Sequence, residues 1–234
     1  MPASVIGLSD CPWDVTPSEA VTIQGRLRGL VETSDRLGSV SSVAGIDVSV
    51  RGDRARAAIV LLSFPDLGLL EVSLADGDVT FPYVPGLLAF REAPVILAAY
   101  ARLRTKPDLL MVDGHGLAHP RRMGIASHLG VVLDRPSLGC AKSRLCGLAA
   151  EPAMEAGCWE PLRDGDDVIG AVVRTRTGVR PVYVSIGHRV GLETAVRYVL
   201  ACCQGRRLPE PTRRAHQAGS LRGPLSESSE TRGC

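Results

Sequence analysis

Three acidic residues occupy positions where a carboxylate is costly unless it has a partner. Asp47 lies inside the alternating stretch VAGIDVSV, Asp113 ends the apolar stretch DLLMVD, and Glu92 lies between the two. A buried carboxylate is stable only when it is paired or holds a metal ion, and Mg²⁺ prefers oxygen ligands such as carboxylates, phosphate and water. The three acids therefore predict a metal site. The alternative is that Asp47 lies at a solvent-facing edge and that Asp113 caps a turn.

A glycine-rich segment follows Asp113, at the carboxyl end of a predicted strand, where α/β proteins place ligands. The segment DGHGLAHPRRMGIASHLG (113–130) holds three histidines, two adjacent arginines and four glycines. Glycine lets a backbone approach a ligand closely, and the basic stretch around His119 suits a phosphate at a helix start. The histidines lack the spacing of a zinc pair on one helix. The alternative is a glycine-rich loop whose charges are solvated.

The stretch FPYVPG (81–86) presents an aromatic residue on a stiff loop. The whole chain has only 2 Trp, 4 Tyr and 3 Phe. Tyr83 stands between Pro82 and Pro85, so it fits neither a helix nor a central strand. A rigidly held ring suits insertion into a base stack or stacking on a base. The alternative is a tyrosine whose ring covers the edge of the core.

Two lysines persist among 27 basic residues, the rest of which are arginines. A lysine carries a compact, titratable ammonium that the planar guanidinium of arginine does not replace. Lys142 follows a β-like run in the stretch CAKSR, where it could stabilise phosphate charge or orient water. The alternative for Lys142, and for Lys106, is an ordinary surface lysine that survived by chance.

Hydrophobic periodicity predicts the elements that must bring these residues together. A helix over 16–32 begins with a capping box formed by Thr16 and Glu19. The other predicted elements are strands over 43–50, 57–64 and 68–74 in an antiparallel meander, helices over 91–104, 121–129 and 192–203, and strands over 108–113, 131–134, 168–175 and 181–186. Together they make a mixed-sheet α/β domain. If the first and fourth strands are neighbours, the three acids converge.

Composition excludes several classes of protein. With 234 residues, 45% hydrophobic and 22% charged, the chain is neither wholly disordered nor fibrous, and no apolar run reaches the ~18 residues of a membrane helix. The seven cysteines are odd in number and lack C-x-x-C spacing, which favours a reduced, cytoplasmic protein. The N-terminus does not resemble a secretory signal. The net charge of +2 divides into −5 for residues 1–100 (7 basic, 12 acidic) and +7 for the remainder (20 basic, 13 acidic), which suggests an anionic partner.

These stretches together resemble the endonuclease V family of nucleases that repair deaminated bases. The matching blocks are VAGIDVS, FPYVPGLLAFRE, KPDLLMVDGHGLAHPRRMGIASHLG, GCAKSRLCG, SIGHRV and GRRLPEPTRRAH, in the order of the family. The resemblance implies a ribonuclease H-like fold, a mixed β-sheet flanked by helices. It also implies Mg²⁺-dependent cleavage of deoxyinosine-containing DNA, with Mn²⁺ as a substitute. The cut falls at the second phosphodiester bond 3′ to the lesion and leaves 3′-hydroxyl and 5′-phosphate ends.

The resemblance also implies roles for individual residues. Asp47, Glu92 and Asp113 match the metal-binding acids, and His216 matches a residue near the metal. Lys142 and His119 match residues tied to the scissile phosphate and the lesion pocket. The predicted wedge that enters the base stack consists of Tyr83 with Pro82, Val84 and Pro85, where Val84 replaces an expected isoleucine. The predicted lesion pocket consists of Gly86, Leu88, Gly114, Gly116, Gly124 and Gly139.

Alternative functions remain open from the sequence. The same fold would also suit an inosine-specific endoribonuclease, a ribonuclease H or a resolvase, and a nucleic-acid-binding protein without cleavage is a further alternative. A Rossmann enzyme is disfavoured because GHG lacks the third glycine of G-x-G-x-x-G. We expect a single catalytic domain over 1–218, a disordered tail over 219–234, a monomer, and no membrane partner.

Overall fold

One eight-stranded mixed sheet organises the protein, which we describe from a computed structural model over residues 12–220. The strand order is β3-β2-β1-β4-β5-β8-β7-β6. The strands are β1 (Ser42–Arg51), β2 (Arg54–Ser63), β3 (Leu69–Asp78), β4 (Leu109–Val112), β5 (Ser137–Ala141), β6 (Trp159–Asp164), β7 (Asp167–Val173) and β8 (Val182–His188). The helices are α1 (Pro17–Arg28), α2 (Leu88–Arg102), α3 (Ile125–Leu133), α4 (Leu192–Ala201) and α5 (Glu210–Ser220).

The predicted meander is confirmed, and the first and fourth strands are neighbours, which is the condition under which the acids converge. Strands β1, β2 and β3 pair antiparallel, whereas β1 pairs parallel with β4 and β4 with β5. The pairing continues for one residue past β4, because the Asp113 N–H donates to the Ile46 carbonyl at 3.0 Å. This parallel register sets Asp113 beside Asp47, the residue after Ile46 on β1.

Apolar layers cover both faces of the sheet. Alternate residues of β1 point to opposite sides: Ile46 is fully buried on the face covered by α2 and α3, and Val43 is fully buried on the face that packs against α4 and α5. Helix α1 packs against α3 and closes a third cluster around Phe90. It begins at the predicted Thr16–Glu19 capping box. The sheet is therefore a rigid support for residues at the ends of its central strands.

Two local predictions in the middle of the chain are wrong. Residues 131–134 do not form a strand, because α3 runs through Val131 and Val132 to Leu133, and Asp134 caps it in a left-handed conformation (φ 51°). Nearly every residue of α3 is buried, so its apolar residues show no helical stripe and resemble a strand. The same helix starts at Ile125 rather than at 121, because Arg122 has a φ of 55° and Gly124 is the N-cap.

Three elements are absent from the predicted set, and the ends of the described residues bear on two other predictions. Strand β6 and helix α5 have no counterpart among the predicted elements, and β5 was anticipated only as the β-like run before Lys142. Helix α5 extends through Gly219 and Ser220, so the predicted tail cannot begin at 219. Residues 221–234, like the N-terminal residues on which the absence of a signal was predicted, lie outside the described residues. Within residues 12–220, no helix is both long enough and apolar enough to cross a bilayer.

Helix α5 lies directly on β1 at a glycine. A Cβ atom added to Gly45 would lie 1.9 Å from the Pro211 carbonyl oxygen, far inside van der Waals contact. The helix can approach the strand this closely only because Gly45 has no side chain. Gly45 stands two residues before Asp47, so the contact also fixes the distance between α5 and the Asp47 carboxylate.

We expect Gly45→Ala to destabilise the protein by about 1–3 kcal/mol, because overpacking forces α5 away from β1. The melting temperature should fall by several degrees, measured by differential scanning fluorimetry. Gly25→Ala is the matched control, since Gly25 lies within α1 with nothing within 4 Å of an added Cβ. It should stabilise the helix by roughly 0.5–1 kcal/mol. Equal melting temperatures for the two variants would contradict the close contact at Gly45.

Candidate active site

Asp47 and Asp113 form the centre of the site. Their side chains are only 10% and 11% exposed, and the two carboxyl groups are close enough to share a hydrogen bond. Each also has a basic partner: His216 Nδ1 lies 3.0 Å from Asp47 Oδ2, and Lys142 Nζ forms an ion pair with Asp113 Oδ2. Residues from β1, the end of β4, the end of β5 and helix α5 thus meet, as the sequence predicted for the acids.

Glu92 approaches this pair from the second turn of α2. Burial, followed by the charge of Asp47, raises the pKa of Glu92 to about 8, although Arg91 opposes the shift. Burial and then the charge of Asp113 raise the pKa of Asp47 to about 6, against the opposing effect of His216. Both shifts have the same origin, because removing like charges from water disfavours their ionised forms. Without a cation, the three carboxyl groups therefore resist being ionised together.

An excess of desolvated carboxylates is the donor set that a hard divalent cation requires. The chemistry of Asp47, Glu92 and Asp113 thus fits the metal implied by the family. Among the residues that the structure describes, no three acidic, histidine or cysteine side chains are arranged so that they could hold a metal ion together. Asp47 is engaged with His216 and Asp113 with Lys142, so these pairs would have to rearrange for a cation to bind.

Each of the two lysines has a defined partner. Lys142 is held at its backbone, because Arg207 Nη2 donates to the Lys142 carbonyl at 2.8 Å. Lys106 lies elsewhere and closes the end of α2, where its Nζ donates to the carbonyls of Tyr100 (2.8 Å) and Leu103 (3.0 Å). Both lysines therefore make specific polar contacts in the structure. Arg207 was missed from the sequence, where it is one arginine among many.

Tyr83 is 73% exposed, so its ring does not cover the edge of the core. It stands at the rim of a cavity of about 210 Å³. The lining residues are Tyr83, Val84, Pro85, Gly86, Leu88, Gly114, His115, His119, Ser143, Arg144 and Leu145. Ligand cavities for whole small molecules usually exceed ~300 Å³, so this one suits a smaller group. The cavity adjoins the acids, because Gly114 follows Asp113 and Ser143 follows Lys142.

Four of the predicted recognition residues do not line the cavity. Pro82 is exposed on the loop. The other three are glycines behind the cavity, where added Cβ atoms would strike backbone: Gly116 at 1.9 Å from the Ile186 oxygen, Gly124 at 2.2 Å from the His115 oxygen and Gly139 at 2.4 Å from the Gly114 oxygen. These glycines let backbone segments pass close to one another beside the cavity rather than line it. The lining residues His115, Ser143, Arg144 and Leu145 were missed.

His119 lies beneath the loop of Tyr83 rather than beside the acids. It is 3% exposed, and its Nδ1 accepts the Arg121 N–H at 3.1 Å. Its Nε2 therefore carries the proton and donates to the Gly86 carbonyl at 2.9 Å. Burial is the main cause that lowers the pKa of His119 to about 4. A neutral imidazole here holds the loop and one wall of the cavity.

The sheet order and the placement of its acids define the class of protein: the chain has the ribonuclease H-like fold. Comparison with known sequences is more specific. The sequence profile of the family described as Endonuclease V matches residues 25–217. The chain belongs to the Endonuclease V family.

Relatives match over nearly the whole chain. Endonuclease V of Roseiflexus castenholzii is 56% identical over 213 residues, which cover 91% of this chain and 96% of that protein. The crystal structure of Endonuclease V from Streptomyces avermitilis superposes with a TM-score of 0.85 at 41% identity, covering 92% and 96% of the two chains. Endonuclease V of Ciona intestinalis, in complex with a 24mer DNA containing an inosine followed by a ribo-adenosine, gives 0.75 at 28%, covering 86% and 95%.

We expect the stability of the metal-free protein to fall between about pH 4.5 and about pH 8. Glu92 has a pKa of about 8 when folded and 4.5 ordinarily, so over this range the folded state holds a proton that the unfolded state has lost. Glu92→Gln removes this penalty. In EDTA at pH 8 the variant should melt at least ~3 °C above the unaltered protein, and the gap should close towards pH 4.5. The exposed Glu193→Gln is the control. A gap that stays constant with pH would refute the shift.

Proposed function

We propose that this protein is a divalent-metal-dependent endonuclease that recognises deoxyinosine in DNA. It cleaves the second phosphodiester bond 3′ to the lesion, leaves 3′-hydroxyl and 5′-phosphate ends, and acts in DNA repair. One observation carries the proposal: a group of desolvated acids shares its backbone segments with a small cavity whose rim presents an exposed tyrosine. The Ciona intestinalis relative bound to inosine-containing DNA supports the choice of substrate.

Asp47, Glu92 and Asp113 would hold Mg²⁺, or Mn²⁺ in its place. When bound there, such an ion activates water and relieves the charge on the leaving oxygen. Lys142, beside Asp113, offers a point charge to the phosphate. His216 Nδ1 lies 3.0 Å from Asp47 Oδ2. In the tautomer that donates from Nδ1 to this carboxylate, Nε2 would be the nitrogen that accepts from the attacking water.

The cavity would hold the damaged base outside the duplex. A base leaves the stack most cheaply when it pairs poorly, which favours a deaminated base over its normal counterpart. Tyr83 would enter the stack in its place. The basic second half of the chain would supply phosphate contacts that do not depend on sequence.

An endoribonuclease acting on inosine in RNA is the second candidate. The DNA bound by the Ciona intestinalis relative carries a ribo-adenosine directly after the inosine, so a related site accepts a 2′-hydroxyl at that position. Parallel assays on inosine-containing DNA and RNA of one sequence distinguish the two functions. A cytoplasmic location and a monomeric state stay predictions.

The direct test is incubation of the purified protein with an end-labelled inosine duplex and Mg²⁺, followed by sizing of the product on a gel. We expect one cut at the second bond 3′ to inosine, none in EDTA and none with Asp113→Asn. Asp66→Asn, the same chemical change on an exposed turn, should leave the rate unchanged. Cleavage by Asp113→Asn at the unaltered rate, or its absence in the unaltered protein, would refute the proposal.

Tyr83→Ala tests recognition apart from chemistry. Stacking on an aromatic ring is worth about 1–3 kcal/mol per base, so lesion binding should weaken by roughly tenfold to a hundredfold. The position of the cut and the metal requirement should not change, because the acids are untouched. Tyr83→Phe is the matched control and should behave almost like the unaltered protein, since it keeps the ring. Full lesion affinity for Tyr83→Ala in an electrophoretic mobility assay would rule out the wedge.

A further inference from the structure

A buried glutamine on α1 contacts the loop that presents Tyr83. Gln24 is 1% exposed, and its Nε2 donates to the carbonyls of Gly86 at 2.9 Å and Met123 at 3.0 Å. Its Oε1 accepts from Arg121 Nε at 2.5 Å. Both amide donors and the acceptor are therefore in use, which holds the side chain in one orientation.

Three side chains converge on the Gly86 carbonyl. Besides Gln24, it accepts from His119 Nε2 at 2.9 Å and from Arg121 Nη2 at 2.7 Å. A carbonyl oxygen has two lone pairs, so these three donors use its accepting capacity fully and hold it from three directions. Gly86 has a φ of 80°, and an added Cβ would lie 2.6 Å from Arg121 Nη2. The loop is thus held here through its backbone by residues distant in sequence.

The attachment point lies between the two halves of the proposed site. Tyr83 precedes Gly86 by three residues, and Glu92 follows it by six. At the other end of the loop, Phe81 is 3% exposed and packs against Phe90. Both ends are fixed while the tip is exposed. A ring can replace a displaced base in the stack only if the loop that carries the ring is rigid.

We propose that Gln24 is a positioning residue for lesion recognition: by fixing the Gly86 carbonyl, it holds Tyr83 where the ring enters the base stack. The inference rests on the proposed function and extends it to a residue on α1, outside the cavity. Gln24 then acts through Tyr83. It matters more for an inosine in a duplex than for one in a single strand, where no stacked pair has to be opened.

A double-mutant cycle tests this dependence. Gln24→Met and Tyr83→Ala are prepared singly and together, and kcat/KM is measured with Mg²⁺ on an inosine-containing duplex and on the same single strand. We expect Gln24→Met to lower kcat/KM on the duplex by about tenfold, within the usual range of coupled residues. The loss on the single strand should stay below about twofold, as should the added loss in the Tyr83→Ala background.

Controls separate positioning from general stability. Val199→Ala opens a cavity in the core cluster around α4, away from the loop, and should affect both substrates equally below its melting temperature. If Gln24→Met does not fold, Gln24→Glu replaces it, since it keeps the acceptor for Arg121 but loses both donors. Additive losses in the cycle, or equal losses on both substrates, would overturn the role of Gln24 while cleavage by the unaltered protein upholds the proposed function. No cleavage by the unaltered protein would overturn both.

Discussion

Two carboxylates held side by side, largely out of water, are the constraint on which the rest of this structure depends. Asp47 and Asp113 come from neighbouring parallel strands, and Glu92 joins them from α2. Like charges that lose their water repel one another, so such a group persists only where its surroundings leave it no other arrangement. The buried layers on both faces of the sheet supply that rigidity. Burying these carboxylates beside one another destabilises the folded protein. A bound cation would relieve that destabilisation, so the group is suited to hold one.

The basic partners of these acids are each held by a second contact. Arg207 bonds to the backbone of Lys142, and the packing of α5 against Gly45 sets the height of His216. The residues of the site lie at positions 47, 92, 113, 142 and 216, on five different segments of the chain. No segment could form the site alone, so its geometry is a property of the whole domain.

The sequence carried strong signals where structure is determined locally. The capping box at Thr16 and the alternation of residues 43–50 predict α1 and β1, and a parallel neighbour for β1 is enough to bring the acids together. The sequence did not predict the elements whose formation depends on tertiary contacts. The buried helix α3 has no polar face to reveal its period, whereas the polar helix α5 depends on its contact with Gly45. The bond from Gln24 to Gly86 spans 62 residues and leaves no mark in either segment.

Backbone segments cross beside the cavity with no room between them. At Gly116, Gly124 and Gly139, carbonyl oxygens occupy the positions of the missing Cβ atoms, and two of these oxygens belong to Gly114 and His115, which line the cavity. A side chain at any of the three glycines would therefore push a backbone segment out of place. Substitutions that alter what the cavity accepts without moving its walls are confined to side chains that line it, such as Tyr83, Leu88 and Leu145.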